Sequence, residues 1–147
     1  MMRMQQAGVP DPELDAFYRR TRYVVDLPEG PLVLHVDVPS PGLLAVHRQF
    51  NVSCSSFMTG WNPRSVPQTA ERNAAAHERL CARISALGLL YLAGRGHDPA
   101  AEWVAEESLL VPGLGLAAAR RIAAELDQHA IVHAAADATP RLVWIAA

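Results

Sequence analysis

The sequence predicts an α+β domain, a two-layer sandwich in which helices pack on a mainly antiparallel sheet. Apolar and polar residues alternate at period two in the segment 23–38, as they do in half-buried strands. From residue 54 onward the segments follow the order β-α-β-β-α-β, which is the order of ferredoxin-like folds. We therefore expect a ferredoxin-like core preceded by an N-terminal β-hairpin, with both long helices on one face of the sheet. A mixed, more nearly parallel α/β sandwich is the alternative that the same order allows.

The length favours a single domain. A chain of 147 residues has the size of one ordinary domain, and two halves of it would each lack a sound core. We predict one domain over residues 11–147 and a loose N-terminal segment over residues 1–10, where no periodic pattern is present. The composition, 50% hydrophobic and 19% charged, is that of a globular protein and not of a disordered chain.

Charge and residue usage exclude several classes of function. The formal net charge of −2 leaves no basic footprint for nucleic acid, and no run approaches the roughly 20 apolar residues that span a bilayer. All 13 basic residues are arginines, which excludes Schiff-base chemistry at lysine and the phosphate-binding lysine of a P-loop. The first residues lack the apolar core of a signal peptide, and the 2 cysteines form no CxxC pair. We expect a cytoplasmic protein without a metal or a cofactor.

The N-terminal part of the chain predicts a short helix and then a β-hairpin. Asp11 is a good N-cap, and Pro12 suits the first helical position because the N–H that it lacks would have no partner there. Apolar residues then alternate in 23–27 and again in 32–38, with the turn formers Pro-Glu-Gly-Pro between them.

The middle of the chain predicts a helix, a strand and a long helix. Ser40 before Pro41 repeats the capping pattern and begins a helix that ends near Asn51. The next strand, at 54–61, stops before Pro63, because Pro cannot donate to the hydrogen-bond ladder of a sheet. The long helix has Thr69 as its cap, an inner stripe of Ala76, Leu80, Ile84 and Leu87, and Gly88 at its end.

The last third of the chain predicts two strands, a helix and two closing strands. A short apolar strand at 89–93 is followed by Gly94-Arg95-Gly96, which has the composition of a turn. The remaining predicted elements are a strand at 107–111, a helix at 116–128, and strands at 130–132 and 142–145.

The first candidate for a functional site is the strand end at Thr59, Trp61 and Asn62. It delivers a hydroxyl, an indole and an amide to one edge of the sheet, where ligand sites often lie, and the amide can both donate and accept hydrogen bonds. The structural alternative is that Asn62 only forms a turn before Pro63 and that Trp61 belongs to the core.

Asn73 and His77 form the second candidate, because they lie one turn apart on the buried stripe of the long helix. Polar side chains on a buried stripe need partners, and the short loop after Asn62 brings the start of this helix near the strand end. Asn62, Asn73 and His77 can therefore converge on one pocket. A hydrogen-bonded structural histidine is the alternative.

The third candidate is the loop that contains Asp98 and Trp103, together with the acidic residues that follow it. Neighbouring residues of a strand point to opposite faces, so Glu106 and Glu107 do not form a paired acid–base dyad. The carboxyl that faces inward loses hydration, which raises its pKa toward that of a useful general acid or base. The alternative is a glutamate that is solvated or that forms a salt bridge, with Arg64 or Arg95 as its partner.

A set of segments spread over residues 14–145 is informative as a group. It consists of Phe17 to Tyr23, residues 57–63, Asn73, residues 96–99, Trp103, residues 106–108 and residues 128–131. Together these segments resemble the bacterial domain-of-unknown-function family 3293, although Gly60 stands where that family more often has Ala. The resemblance implies candidate positions over nearly the whole chain and no particular chemistry.

Two functions from different classes follow. The first is a small-molecule-binding protein or enzyme with a polar pocket around Trp61 and Asn62, in which Glu106 and His77 move protons. Its expected ligand-binding residues are Thr59, Trp61, Asn62, Asn73, Asp98 and Trp103. The second is a noncatalytic interaction module, for example a homodimer formed through an exposed sheet edge, in which the same residues only hold loops in place.

Overall fold

The computed structural model describes residues 11–100 and 104–145, and over these residues it contains four α-helices and seven strands. The predictions for the segment 1–10 and for Trp103 lie outside the described residues. The elements are α1 (Pro12–Arg20), β1 (Arg22–Leu27), β2 (Gly30–Leu34), α2 (Pro41–Gln49), β3 (Ser55–Thr59), α3 (Ala70–Ala86), β4 (Leu92–His97), β5 (Glu106–Pro112), α4 (Leu116–Glu125), β6 (Ala130–Ala134) and β7 (Arg141–Trp144), with a short 3-10 turn at Pro63–Ser65.

All of these strands belong to one sheet, in the order β2-β1-β4-β5-β3-β6-β7. Every neighbouring pair is antiparallel. The predicted α+β class and antiparallel sheet are therefore confirmed, and the more nearly parallel alternative is wrong. The N-terminal hairpin of β1 and β2 is present as well, with Leu27 opposite Gly30 at its turn.

The two faces of the sheet carry separate apolar clusters. Leu80 of α3 and Ile122 of α4 are buried in one cluster with Met58 of β3. Phe57, the preceding residue of the same strand, belongs to the other cluster, together with Leu43 of α2. Both long helices share one face, as the sequence predicts. The two-layer description is incomplete, because α2 adds a third layer on the opposite face.

The helix starts are those that the sequence predicts. The side chains of Asp11, Ser40 and Thr69 each accept a hydrogen bond from a backbone N–H two or three residues further on, at 2.9, 3.0 and 3.1 Å respectively. These bonds satisfy N–H groups that have no partner within the helix, and each cap contributes about 1 kcal/mol to stability.

The position of β4 differs from the prediction. Gly94, Arg95 and Gly96 lie inside this strand and not in a turn after it. A Cβ atom at Gly94 would lie 2.5 Å from the carbonyl oxygen of Val24 and 3.1 Å from the ring of Phe57. The glycine is therefore required by the close approach of backbone and ring, and not by a turn.

Strand β2 is shorter than the alternation suggests. It ends at Leu34, whereas the pattern continues to Val38. Asp37 has a φ of 67°, a left-handed conformation that a strand cannot contain. Its N–H donates to the carbonyl of Pro140 at 2.7 Å, so this segment binds the loop before β7.

Over the described residues, none of the helices is both long and apolar enough to cross a lipid bilayer.

Candidate functional site

The turn that follows β3 is held by side-chain hydrogen bonds. The Thr59 hydroxyl donates to the backbone carbonyl of Glu107 at 2.8 Å and accepts from the N–H of Trp61 at 3.0 Å. Gln128 donates to the carbonyl of Trp61 at 3.0 Å. The next residue, Asn62, adopts a left-handed conformation with φ 48° and ψ 60°, which asparagine tolerates better than most residues. Thr59 therefore has a structural role in this turn.

Asn62 and Asn73 form a closed pair of hydrogen bonds between this turn and α3. The N–H of Asn62 donates to the Asn73 side-chain oxygen at 2.9 Å, and the Asn73 amide donates back to Asn62 Oδ1 at 3.0 Å. The N–H of Gln68 also donates to Asn62 Oδ1, at 3.1 Å. Because Asn73 is buried and all these groups are paired, the orientation of the Asn62 amide is fixed.

The fixed amide of Asn62 binds Glu106. Its Nδ2 donates to Glu106 Oε2 at 2.9 Å. Glu106 is the first residue of β5 and points to the face that carries Leu110, opposite to the face of Glu107. Burial raises the pKa of the Glu106 carboxyl, and the hydrogen bond from Asn62 opposes this shift. The site thus holds a carboxyl that has lost much of its hydration.

The Glu106 carboxyl lies in the wall of a cavity of about 70 Å³ between α1 and the sheet. Its aromatic walls come from α1, β1 and β3, and the rings meet edge to face. Phe17 and Tyr18 have ring centroids 5.6 Å apart, and those of Tyr23 and Phe57 are 5.3 Å apart. A carboxyl group therefore faces a largely aromatic chamber.

A wider cavity of about 290 Å³ adjoins the first. The two share Phe17, Tyr18, Asn62 and Glu106. A third and more open cavity, of about 560 Å³, is lined by Trp61, Asn62 and Asn73 among others. Asn62 is therefore the residue at which all three spaces meet.

The two tyrosines of the chamber stay protonated at neutral pH. Burial raises the pKa of Tyr18, and the negative charge of Glu106 raises it further. The pKa of Tyr23 is also raised, first by burial and then by nearby groups that include Glu106. The Tyr23 hydroxyl donates to the backbone carbonyl of Tyr18 at 2.6 Å, which ties β1 to α1.

Asp98 lies in the chamber wall with its charge compensated. The Arg20 guanidinium donates to both of its carboxylate oxygens, with N···O distances of 3.1 to 3.3 Å. The hydrogen bonds from Arg20 hold the pKa of Asp98 below its usual range. This side chain therefore links α1 to the segment after β4 and does not offer a free charge.

His77 lies apart from this group. Its Nε2 is 3.4 Å from Glu107 Oε2, and α3 packs on the face of the sheet opposite to the chamber. The sequence places Asn73 and His77 on one stripe, yet only Asn73 reaches the turn at Asn62. The geometry therefore does not bring His77 to the Glu106 carboxyl.

The structure brings most of the predicted site residues together. Asn62 donates to Glu106, Asn73 is bonded to Asn62, and Thr59, Trp61 and Asp98 lie in the surrounding walls. The alternative of a salt bridge from the inward-facing glutamate to Arg64 or Arg95 is wrong, because Arg64 pairs with Asp127 and Arg95 with Asp26. Trp103 lies outside the described residues.

Sequence reasoning missed the aromatic walls and the arginine that neutralises Asp98. The sequence predicts a short helix in this part of the chain and gives Phe17 and Tyr18 no part in a pocket. One feature of the sequence could have indicated them. Two aromatic residues lie close to Arg20 on α1, a helix that has no buried residue of its own.

Among residues 11–100 and 104–145, no group of three or more His, Cys, Asp or Glu side chains is placed to hold a metal ion.

A family model described as "Protein of unknown function (DUF3293)" matches residues 58–131. The chain belongs to domain-of-unknown-function family 3293. The segment that matches family 3293 contains Asn62, Asn73, Asp98 and Glu106, whereas the aromatic residues of α1 and β1 precede it. No curated protein and no solved structure matches the chain.

Proposed function

We propose that this member of family 3293 is a small-molecule-binding protein whose site is formed by the two adjoining cavities at Glu106. The observation that carries the proposal is the hydrogen bond from the Asn62 amide, itself fixed by Asn73, to a partly dehydrated carboxyl in an aromatic chamber. A stable core does not need a carboxyl at such a position, since burying one lowers stability unless it is paired. Carboxyl groups with raised pKa in a cavity are typical of functional sites.

Glu106 is the proposed hydrogen-bonding and acid–base group of the site. Over the described residues, Asn62 is the one side chain that donates to its carboxylate, so the other oxygen remains for a ligand. We place binding before catalysis, because the histidine predicted to move protons with Glu106 faces the opposite side of the sheet. The phenol groups of Tyr18 and Tyr23 line the same cavity, and the Glu106 charge contributes to the raised pKa of each.

A ligand screen with a matched pair of variants tests this proposal. Wild-type protein would be screened by ligand-observed NMR against fragments that include amines, alcohols, carboxylic acids, amides and nucleosides. We expect at least one class to bind and to lose about tenfold or more in affinity in Glu106→Gln. Glu107→Gln is the control, because it makes the same chemical change one residue along, on the other face. No binding by wild type, or equal binding by Glu106→Gln, would refute the proposal.

A noncatalytic interaction module is the second candidate function. It is supported by the two outer strands of the sheet, β2 and β7, whose outer edges have no neighbouring strand among the described residues. Val33 of β2 is exposed, so this outer strand has an apolar side chain that could pack against another chain. Sedimentation of the purified protein over a hundredfold range of concentration measures whether a homodimer forms.

Two further assignments belong with these proposals. We propose that β3, β4, β5 and β6 with α3 and α4 form a ferredoxin-like unit, which is supported by their antiparallel order β4-β5-β3-β6 and by both helices on one face. We also propose a cytoplasmic setting, which is supported by the free thiols of Cys54 and Cys81, and a bacterial origin, which the resemblance to family 3293 implies.

A further inference from the structure

We infer, building on the proposed function, that the ligand of this site is an organic cation: an ammonium group that carries an apolar body. In this arrangement Glu106 is the counter-ion, and the aromatic rings of α1, β1 and β3 surround the positive charge.

The first support is the charge of the cavity walls. Glu106 lines both cavities, and Asp11 and Glu13 line the wider one, whereas Arg20 compensates the charge of Asp98 in the smaller cavity. No arginine or histidine is among the described residues that line either cavity, and Arg20, which lies beside them, is already bonded to Asp98. Walls of a single sign raise the local concentration of oppositely charged molecules. The walls therefore favour a cation and disfavour an anion.

The second support is the arrangement of the aromatic rings. The rings of Phe17 and Tyr18 are inclined at 73°, and those of Tyr23 and Phe57 at 72°. Rings set at such angles around one space can present several π faces to the same charge, which is how aromatic cages bind ammonium groups. Phe17 already attracts a cation within the protein, since the Arg20 guanidinium lies 5.4 Å from its ring centroid.

The third support is the state of the Glu106 carboxyl. Its hydration is reduced, and its hydrogen bond within the described residues comes from a neutral amide. A neutral ligand would leave the ionised carboxylate without a counter-charge, and an anionic ligand would add repulsion. An ammonium group restores both the charge balance and the hydrogen bonds that burial removes.

The dimensions of the cavities fit a ligand with a small head and a larger body. The cavity of about 70 Å³ has room for a head group next to Glu106 and the rings. The walls of the adjoining cavity of about 290 Å³ include Leu14, Trp61 and Pro67, whose apolar side chains can pack against an apolar body. We therefore expect ammonium compounds with an alkyl or aryl chain to bind more tightly than the ammonium ion itself.

A series of probes with one shared body tests the inference. Butylammonium, butyltrimethylammonium, butanol and butyrate would each be titrated into the protein at pH 8, with amide chemical shifts as the readout. We expect the two cations to bind at least tenfold more tightly than butanol, and butyrate to bind more weakly than butanol. Glu106→Gln should remove the preference for cations over butanol, and Glu107→Gln should keep it.

A second variant keeps the test decisive if Glu106→Gln fails to fold. Phe17→Leu retains apolar volume but removes a π face, so it should reduce the affinity for butyltrimethylammonium several-fold more than the affinity for butanol. Binding of butanol or butyrate as tight as that of the cations would overturn the inference and leave the proposed function standing. If neither this series nor the fragment screen yields any binding to the wild type, the proposed function itself is refuted.

Discussion

At the scale of single residues, Asn62 controls the position of Glu106. Its backbone adopts a left-handed conformation, and both the oxygen and the nitrogen of its amide form hydrogen bonds. A substitution therefore affects the turn, α3 and β5 at once. Because the amide is neutral, it can donate to the Glu106 carboxylate at 2.9 Å without charge repulsion.

Asn62→Asp should therefore destabilise the protein at neutral pH. The substitution keeps the shape of the side chain but places a second carboxylate against Glu106 and removes one donor. We expect a loss of about 1–3 kcal/mol in the free energy of unfolding at pH 7. The loss should shrink at acidic pH, where one of the two carboxyls takes up a proton. Urea unfolding at the two pH values measures both effects.

Asn51→Asp is the control for this change. Asn51 also has a left-handed backbone, with φ 55°, and it is exposed at the end of α2, away from the site. This substitution should change the free energy of unfolding little at either pH. Equal losses in both variants would show that the amide of Asn62 has no special relation to Glu106.

Glu106 itself should make a contribution to stability that decreases as the pH rises. Burial raises the pKa of its carboxyl above the ordinary value of 4.5. The unfolded chain therefore releases this proton at a lower pH than the folded protein does. The stabilising contribution is complete below about pH 4.5 and is lost as the pH rises through the folded-state pKa.

Comparison with Glu106→Gln isolates this effect, because glutamine cannot titrate. We expect the difference in unfolding free energy, wild type minus variant, to fall as the pH rises from about 4.5 through the folded-state pKa of Glu106. Urea unfolding at several pH values provides the curve, and a difference that is flat or rises with pH would contradict the prediction. The other titratable groups around the cavities are the same in both proteins: Tyr18, Tyr23, Asp98 with Arg20, Asp11 and Glu13.

Sequence reasoning found the centre of this site but not its surroundings. Helical spacing and a short loop were enough to bring Asn73 to Asn62, and strand alternation was enough to separate Glu106 from Glu107. The same helical spacing predicted a position for His77 in the pocket, and this prediction is wrong. His77 lies one helical turn beyond Asn73 on α3, beside Glu107 on the opposite face of β5. The pairing of Arg20 with Asp98 joins residues far apart in the chain, and local patterns contain no information about such contacts.

At the scale of elements, β4 shows how a strand can be hidden in a sequence. Two glycines normally indicate a turn, yet Gly94 and Gly96 lie in an interior strand of the sheet. Their role is to leave room, for the Phe57 ring at Gly94 and for the chamber at Gly96. A steric requirement of this kind depends on residues in other strands, which explains why the period-two pattern alone could not find it.

The two glycines should respond differently to the same substitution. Gly94→Ala would place a Cβ atom 2.5 Å from the Val24 carbonyl, where backbone has to move, and we expect a loss of about 1–3 kcal/mol. Gly96→Ala meets only the Thr21 methyl, at 3.8 Å, so it should leave stability nearly unchanged while it narrows the chamber. Chemical denaturation measures the first effect, and weaker binding of butyltrimethylammonium to a stably folded Gly96→Ala protein measures the second. Equal stability of the two variants would contradict this account of β4.

At the scale of the whole molecule, α1 is the element that closes the site. The family 3293 match begins at Met58 and so does not include this helix, but two of the four aromatic walls of the chamber lie on it. It is connected to distant parts of the sheet. Arg20 binds Asp98 after β4, and Asp15 accepts a hydrogen bond from the indole N–H of Trp144 in β7 at 3.3 Å. The chamber therefore depends on contacts between the first and last described elements.

Trp144 offers a test of this dependence, because it holds α1 without lining the chamber. Its ring meets that of Tyr18 edge to face, with centroids 5.4 Å apart at 87°, in addition to the bond to Asp15. Trp144→Leu keeps an apolar side chain but removes both contacts, and we expect a loss of about 1–2 kcal/mol in stability. Hydrogen exchange should accelerate in α1 more than in α3, and the affinity for butylammonium should fall several-fold as Tyr18 loses its support. Trp144→Phe retains the ring contact and should fall between wild type and Trp144→Leu in both measurements. If exchange in α1 stays at the wild-type rate, the helix is held by its other contacts, and closure of the site does not depend on β7.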